Sequence, residues 1–220
     1  MFKTETHIHV SEVSTCSQLS AAEMVRLYHE AGYKTLIISD HFQQRSFDKL
    51  GGVSWAEYVD RFVSGYNAAK KAAKQFDMNV IFSAELRLND ACNHYLLYGI
   101  DGEFLKKRAD LFDMTIQEFY GYAKQNGVTI VQAHPYRDEK CTPTPEYVDG
   151  FEVYNSNPRH QNFTKRAVKI AKEHNKPMTA GSDSHRTEDV AITGVITKTE
   201  IKTAADYVKA LLQGELEIIE

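Results

Sequence analysis

Cysteine is scarce in this chain. Cys16, Cys92 and Cys141 are odd in number, widely spaced and never in a CxxC pair. That argues for structural thiols in a reducing compartment and against disulfides. No apolar run approaches the roughly 20 residues needed to cross a bilayer. Nor is there a long basic block: 26 Lys and Arg are balanced by 30 Asp and Glu, for a net charge of −4. Broad attraction to nucleic acid or to an anionic membrane is therefore not expected. Neither a G-x-S-x-G elbow nor a P-loop glycine pattern occurs, and no convincing serine or cysteine nucleophile stands out. Internal repeats, low-complexity tracts and linkers are also lacking, so residues 1–220 are read as one domain. The opening Met1-Phe2-Lys3-Thr4-Glu5-Thr6 lacks a signal peptide's apolar stretch, and a cytoplasmic location is the expectation.

What the chain does have is histidine and carboxylate in ligand-type patterns. His7-Ile8-His9 lies near the start and Ser182-Asp183-Ser184-His185 near the end. Between them come Asp40-His41, Glu85, His94 and His134-Pro135. Residues two apart on an extended strand point to the same side, so His7 and His9 can reach one cation together. Asp183 and His185 can do so as well if their segment stays extended. This is more ligand than one ion can use. Imidazole and carboxylate without thiolate suit Zn(II), Mn(II) or Fe(II). Bound metals can turn water into hydroxide near neutral pH and steady entering and leaving oxygens, which points to a multinuclear hydrolytic site.

Apolar runs rich in Val, Ile and Thr alternate with amphipathic stretches. Strands are predicted at 2–7, 35–39, 79–84, 94–99, 128–133, 151–154 and, as the last, 191–197; 177–180 leads into Gly181-Ser182-Asp183, and 216–219 completes the chain. Helices are predicted from Ser20 to Gly32, from Ser54 to about Phe76, from Thr115 to Gly127, over roughly 161–174 and 203–213. The first two open on capping boxes, and Thr115-Ile116-Gln117-Glu118 opens the third. A longer loop through Gly51-Gly52 is expected after His41, and Glu85 is expected to end its strand. Alternation of this kind implies right-handed βα units and a mainly parallel sheet. Ligand-type residues at strand ends favour a barrel, whose sites gather at the C-terminal ends of the strands.

The set His7-Ile-His9, Ile38-Ser39-Asp40-His41, Ser83-Ala84-Glu85, His94-Tyr95-Leu96-Leu97-Tyr98-Gly99, Ala133-His134-Pro135 and Gly181-Ser182-Asp183-Ser184-His185 resembles the PHP family, the polymerase and histidinol phosphatase superfamily. The motifs span nearly the whole chain in the family's order. The resemblance implies an α/β fold, a distorted, TIM-like (β/α)7 barrel, with two to three divalent metal ions. By that resemblance His7, His9, Glu85 and Asp183 hold the first metal. Glu85 bridges to a second, bound also by His94 and His134, and His41 and His185 hold the third. One departure concerns the third position, for which many members supply a further His or Asp five or six residues after the H-x-H pair. Ser14 and Thr15 occupy that stretch here, with Glu12 as the substitute candidate, so the third metal is expected to be the weakest held.

Asp40 is read as orienting His41 rather than as a ligand. His29 and His174 fall in predicted helices and are read as ordinary surface residues, while His160 lies near the site but outside the motifs. Arg137 and Arg159 follow strand-end motifs, and guanidinium geometry suits a bidentate phosphate clamp as well as a plain surface role. Tyr136 and Tyr154 could flank an organic group, though core tyrosine is the commoner use. Catalysis is assigned to Glu85, Asp183 and His185, and substrate binding to Arg137, Arg159 and Asn155. The expected activity is metal-dependent phosphoester hydrolysis by a metal-bound hydroxide, on a phosphomonoester, a nucleotide phosphate or a short nucleic-acid end. No membrane association and no obligate protein partner are expected. Histidinol phosphate is an alternative substrate, although histidinol phosphatases of this type are usually longer. A non-catalytic metal-binding regulatory barrel is the rival class. Amide or lactone hydrolysis is a third, disfavoured because no strand-ending lysine suggests the carboxylated lysine that chemistry often uses.

Overall fold

Ser20, Ser54 and Thr115 each accept a hydrogen bond from the amide three residues on, and Glu23, Glu57 and Glu118 bond back to the cap amides. The helices therefore start where their capping boxes place them. Thr203 and Asp206 form a further such box. In the computed structural model, which describes residues 1–89, 92–137 and 141–219, the order is β1 (Phe2–Ile8), α1 (Ala21–Glu30), β2 (Thr35–Ile38), β3 (His41–Gln43), α2 (Gln44–Asp48), α3 (Trp55–Ala73), β4 (Asn79–Arg87) and β5 (His94–Tyr98). It continues with α4 (Gly102–Lys106), α5 (Ile116–Gln125), β6 (Thr129–Ala133), β7 (Gly150–Asn155), α6 (Thr164–Glu173), β8 (Met178–Gly181), β9 (Gly194–Thr197), α7 (Ala204–Leu212) and β10 (Glu217–Ile219). No helix among the described residues is long and apolar enough to cross a membrane.

The strands form one sheet in the order β10-β9-β1-β2-β4-β5-β6-β7-β8, with β3 added beside β4. It curls until β8 meets β1: Thr6 Oγ1 donates to the Ala180 carbonyl at 2.8 Å, and His9 N donates to Ser184 O at 3.1 Å. The result is a nearly closed, distorted TIM-like barrel. Gly181 permits that approach, because a Cβ there would lie 2.5 Å from His7 Cβ and 2.7 Å from Glu152 Oε1. Helix α1 turns Ala21, Met24, Val25 and Tyr28 inward, an i, i+3, i+4, i+7 stripe. Each of its larger apolar side chains contributes about 1.5–3 kcal/mol on full burial.

Three expectations are corrected. The sheet is mixed rather than mainly parallel, since β5 runs antiparallel to both β4 and β6, and β9 runs antiparallel to β1 and β10. Among the described residues no helix separates β4 from β5, and antiparallel neighbours need no crossover connection. The segment after His41 is not simply a loop: β3 pairs with β4 and runs into α2, so Glu85 lies inside β4 rather than at its end. Finally, Cys92 and Cys141 form a disulfide across 49 residues, with Cα atoms 5.4 Å apart. Antiparallel pairing sets the start of β5 beside the end of β6, a proximity that sequence spacing does not reveal. The pairing removes the thiol argument for a reducing compartment.

Candidate metal centre

The barrel's interior strand β1 is unusual in burying polar side chains: Thr4, Glu5, Thr6 and His7 are all fully enclosed. His7 and His9 project to one side of it, with their Nε2 atoms 3.1 Å apart. Around that pair the fold gathers Glu85 from β4, His41 from the start of β3, His94 from the start of β5, His134 from just after β6, and Asp183 and His185 from just after β8. His94 can begin its strand and still belong here because β5 runs against its neighbours. Its first residue therefore lies at the end where β4 and β6 finish.

Glu85 stands at the middle. Its Oε1 is 2.8 Å from both His94 Nδ1 and His134 Nε2, and 3.5 Å from His7 Nε2. Its Oε2 is 2.5 Å from His41 Nδ1 and 3.5 Å from His9 Nε2. The two oxygens of one carboxylate thus face two sets of imidazoles. Asp183 Oδ1 approaches His9 Nε2 at 3.2 Å and His7 Nε2 at 3.6 Å.

Hydrogen-bond accounting shows what these atoms can do. His7 Nδ1 donates to Glu152 Oε1 at 2.9 Å, so Nε2 is the nitrogen that carries a lone pair whenever the ring gives up its second proton. Ser14 Oγ gives its proton to Asp40 Oδ1 at 2.6 Å and can only accept from His9 Nδ1. That leaves His9 Nε2 as a second lone pair, aimed at the first. His185 Nδ1 donates to the Asp183 carbonyl at 2.8 Å, which frees its Nε2 in turn. Ring nitrogens converging on two buried carboxylates call for positive charge among them, from protons on the rings or from a cation. The donors group into overlapping sets whose ligand atoms all lie within 4.8 Å of one another: His7–His9–Glu85, His7–His134–Asp183, His41–Glu85–His94 and His9–His41–His185. Nitrogen and carboxylate sets of this kind fit divalent cations.

Titration follows the same logic. Burial opposes a charge on His7, but Glu152, Asp183 and Glu85 outweigh it and hold its pKa well above the ordinary value. Burial also opposes His41, yet Glu85 raises it to about 10. Burial, with His41 and His185 nearby, keeps His9 well below its usual range. His134 falls to about 4 through burial and the Arg137 charge. Glu85 and Asp183 stay ionised against burial, the first through His94, His41 and His7, the second chiefly through Arg137 and His7. Both His134 (φ 28°) and Asp183 (φ 52°) hold left-handed backbone conformations, the kind of strain that gathers at functional sites.

At the rim, Arg137 pairs with Asp183 Oδ2 at 2.7 Å and donates to Asn155 Oδ1 at 2.7 Å. Asn155 Nδ2 in turn donates to Glu152 Oε2 at 2.9 Å. Arg159 is held two-pronged by Asp189 at 2.7 and 2.6 Å, while Asp189 also accepts the His185 amide. His160 lines the same opening as Arg137, Arg159, Asp183 and His185. Tyr136 lies under the Arg166 guanidinium, and His29 stacks on Phe76, away from the centre. Glu12 accepts the Ala21 amide at 2.9 Å and caps α1. Asp40 accepts from Val10 N and from the Ser14 hydroxyl, and Ser14 Oγ accepts from His41 N.

Two residues escaped sequence reasoning. Glu152 orients His7 and receives the His134 amide at 2.9 Å. Glu5 accepts from the amides of Thr6, His7 and Ser182 and from the hydroxyls of Tyr28 and Ser182, tying β1 to the Asp183 segment. A carboxylate standing inside an otherwise apolar strand was the available signal for Glu152, in Phe151-Glu152-Val153.

A family model described as PHP-associated matches residues 161–216. No curated protein matches the sequence. Among solved structures, a two-domain Bacteroides vulgatus protein said to contain a predicted PHP-like metal-dependent phosphoesterase superposes with a TM-score of 0.67 at 17% identity over 99% of this chain. This chain spans only 64% of that protein's length. A Bifidobacterium adolescentis protein described as a candidate metal-dependent phosphoesterase gives 0.60 at 14% identity, with 98% and 97% of the two chains covered. A lesion-specific endonuclease from Pyrococcus furiosus gives 0.64 at 15% identity, covering 99% of this chain and 57% of that one. At such identities the likeness is one of fold. The segment that matches the PHP-associated model is a part of the chain, and over the rest the similarity to PHP-like proteins is one of fold.

Proposed function

We propose that this protein is a metal-dependent phosphoesterase acting on a phosphomonoester, a nucleotide phosphate or a short oligonucleotide end. The observation that carries the reading is the place of Glu85, with Oε1 among His7, His94 and His134 and Oε2 between His9 and His41, a geometry suited to a carboxylate shared by cations. His7, His9, Glu85 and Asp183 would hold one, Glu85, His94 and His134 a second, and His41 with His185 a third; Zn, Mn and Fe are the candidate metals. Such cations supply an acidified water and neutralise charge on a phosphoryl group. The chain's own residues do the remaining work. Glu152 fixes the His7 ring so that Nε2 faces inward. Arg137, braced by Asn155, offers a guanidinium at the mouth for non-bridging phosphate oxygens. Arg159 lies on the same rim, its charge partly answered by Asp189. The names borne by the Bacteroides, Bifidobacterium and Pyrococcus proteins support the reaction class.

The test is a phosphate-release screen of metal-loaded protein against phosphomonoesters, histidinol phosphate, mononucleotides and short oligonucleotides, with amides and lactones alongside. Release from any phosphoester above metal-free protein supports the reading. Turnover of amides or lactones alone would replace it, and a loaded protein inert toward every compound would favour the non-catalytic barrel.

A further inference from the structure

Arg137, His94 and His160 line two adjoining cavities. One, of 320 Å³, is the opening over His41, Asp183 and His185. The other, of 290 Å³, reaches His134 and is lined also by Arg87, Asn93 and the Cys92–Cys141 disulfide. One wall of this second cavity is pinned at three points. The disulfide joins residue 92 to residue 141, Asn93 Nδ2 donates to Thr142 O at 2.8 Å, and Thr144 N donates to Gln132 Oε1 of β6 at 2.9 Å. Asn93 can meet the Thr142 carbonyl only with its nitrogen, because a carbonyl accepts. Its Oδ1 is the atom left over, buried without a hydrogen bond on a side chain that lines the cavity and is 8% exposed. A buried acceptor in that state is unfavourable until a donor meets it.

We propose that the second cavity holds the alcohol part of the substrate, a compact neutral polyol whose hydroxyl donates to Asn93 Oδ1. This rests on the phosphoesterase reading above and narrows its substrate class. A phosphoryl group met by Arg137 lies where the two cavities adjoin, so its ester oxygen can lead into the second one. The 290 Å³ equals about ten waters at roughly 30 Å³ apiece, the bulk of about ten non-hydrogen atoms. A pentose fits that bulk, a nucleoside exceeds it, and a nucleic-acid strand exceeds it further. Among the described residues no aspartate or glutamate lines this cavity, while Arg87 and Arg137 do. A cationic amino alcohol is therefore disfavoured, and a neutral hydroxyl is the matching donor. The pinned wall makes the cavity preformed, which keeps the ordering cost of binding low.

The experiment compares three esters of primary alcohols on the metal-loaded full chain. Ribose 5-phosphate fills the cavity and brings donors, cyclohexylmethyl phosphate fills it without one, and methyl phosphate does neither. Competition within one preparation gives ratios of kcat/KM that do not depend on how much of the protein is active. The ribose ester should exceed the methyl ester by at least about tenfold, with the cyclohexylmethyl ester between them. Asn93→Ala should erase the advantage of the ribose ester over the cyclohexylmethyl ester. Asn93→Asp, which keeps an acceptor oxygen but loses the bond to Thr142, should retain it, which separates the acceptor from the wall. Equal kcat/KM for the ribose and methyl esters, preference for the cyclohexylmethyl ester, or preference for a nucleotide or an oligonucleotide end overturns the proposal while the phosphoesterase reading stands. So does an advantage unchanged in Asn93→Ala, or lost in both variants. Hydrolysis of no phosphoester at all overturns that reading and the role of this cavity with it.

Discussion

His41 and Glu85 are register partners across β3 and β4, and His41 Nδ1 lies 2.5 Å from Glu85 Oε2. Side chains of register partners project to the same face, so three residues of added strand carry His41 into the barrel mouth. Glu85 then reaches imidazoles on both sides, and its replacement should disturb both. In Glu85→Gln one oxygen becomes an amide NH₂ that repels the cations and donates where ring nitrogens need a partner. Metal content after gel filtration should fall by more than one ion per chain, and turnover should fall by at least about 100-fold, beyond what loss of an outer contact usually costs. Wild-type metal content in the mutant would remove the bridge.

Glu152 touches the other nitrogen of His7. With glutamine there, the side-chain amide can present either its oxygen or its NH₂ to His7 Nδ1, and the ring loses its fixed tautomer. Metal affinity should drop about 10–100-fold while the fold persists, as is usual when a histidine ligand loses its orienting carboxylate. Competition with a chromophoric chelator would measure it. An unchanged affinity would show that Glu152 only fills space.

The residues that gather around Glu85 were legible because each lies in or beside a short apolar run whose strand character is set by local composition, and Asp183 and His185 keep their spacing in Gly181-Ser182-Asp183-Ser184-His185. Helix starts were legible for a related reason: a capping box is a contact between residues three apart. Pairing direction was not. Whether β5 runs with or against β4 depends on which distant edge it joins, and the same holds for β3, whose three residues carry no period of their own. Glu5 and Glu152 were missed because the contacts that tie them to the centre reach residues 145 or more positions away.

Glu5 gives a stability test away from the reaction. Its Oε1 takes three backbone amides, from Thr6, His7 and Ser182, at 2.9–3.0 Å. In Glu5→Ala those donors are left buried without partners, at about 1–3 kcal/mol apiece and not fully additive. A loss of about 3–5 kcal/mol in urea unfolding of the metal-free protein is expected. A change under 1 kcal/mol would mean that water replaces the carboxylate.

Arg137→Ala and Arg159→Ala separate two kinds of arginine. Arg137 faces the mouth from Asp183 and Asn155, so its loss should raise KM for a phosphomonoester about tenfold or more, with kcat following if the contact tightens in the transition state. Arg159 is bound to Asp189, which steadies the His185 amide. Its loss should raise KM less and lower metal retention more. Steady-state kinetics with parallel metal analysis distinguishes the two, and identical profiles would contradict this division.

Metal uptake should release protons, with a pH dependence set by His7 and His41. Both hold their proton more firmly than an ordinary imidazole in the metal-free protein, His7 through Glu152, Asp183 and Glu85 despite burial, and His41 up to about 10 through Glu85 despite burial. A cation must displace those protons, so apparent affinity should climb as pH rises from 6 to 8, by up to about tenfold per pH unit for each proton displaced. His134, held near 4 by burial and Arg137, is already neutral and adds nothing over that window. The sign for stability is opposite. A group whose folded pKa is raised lends stability in full below its unfolded value of about 6.5 and loses it as pH rises through the folded value. The metal-free protein should therefore lose the His41 contribution between about 6.5 and about 10, while the loaded protein, whose imidazoles are already neutral ligands, should not. Calorimetric titration in buffers of different ionisation enthalpy counts the released protons. A count of zero, with affinity flat from pH 6 to 8, would mean that the cations do not occupy the space between these histidines.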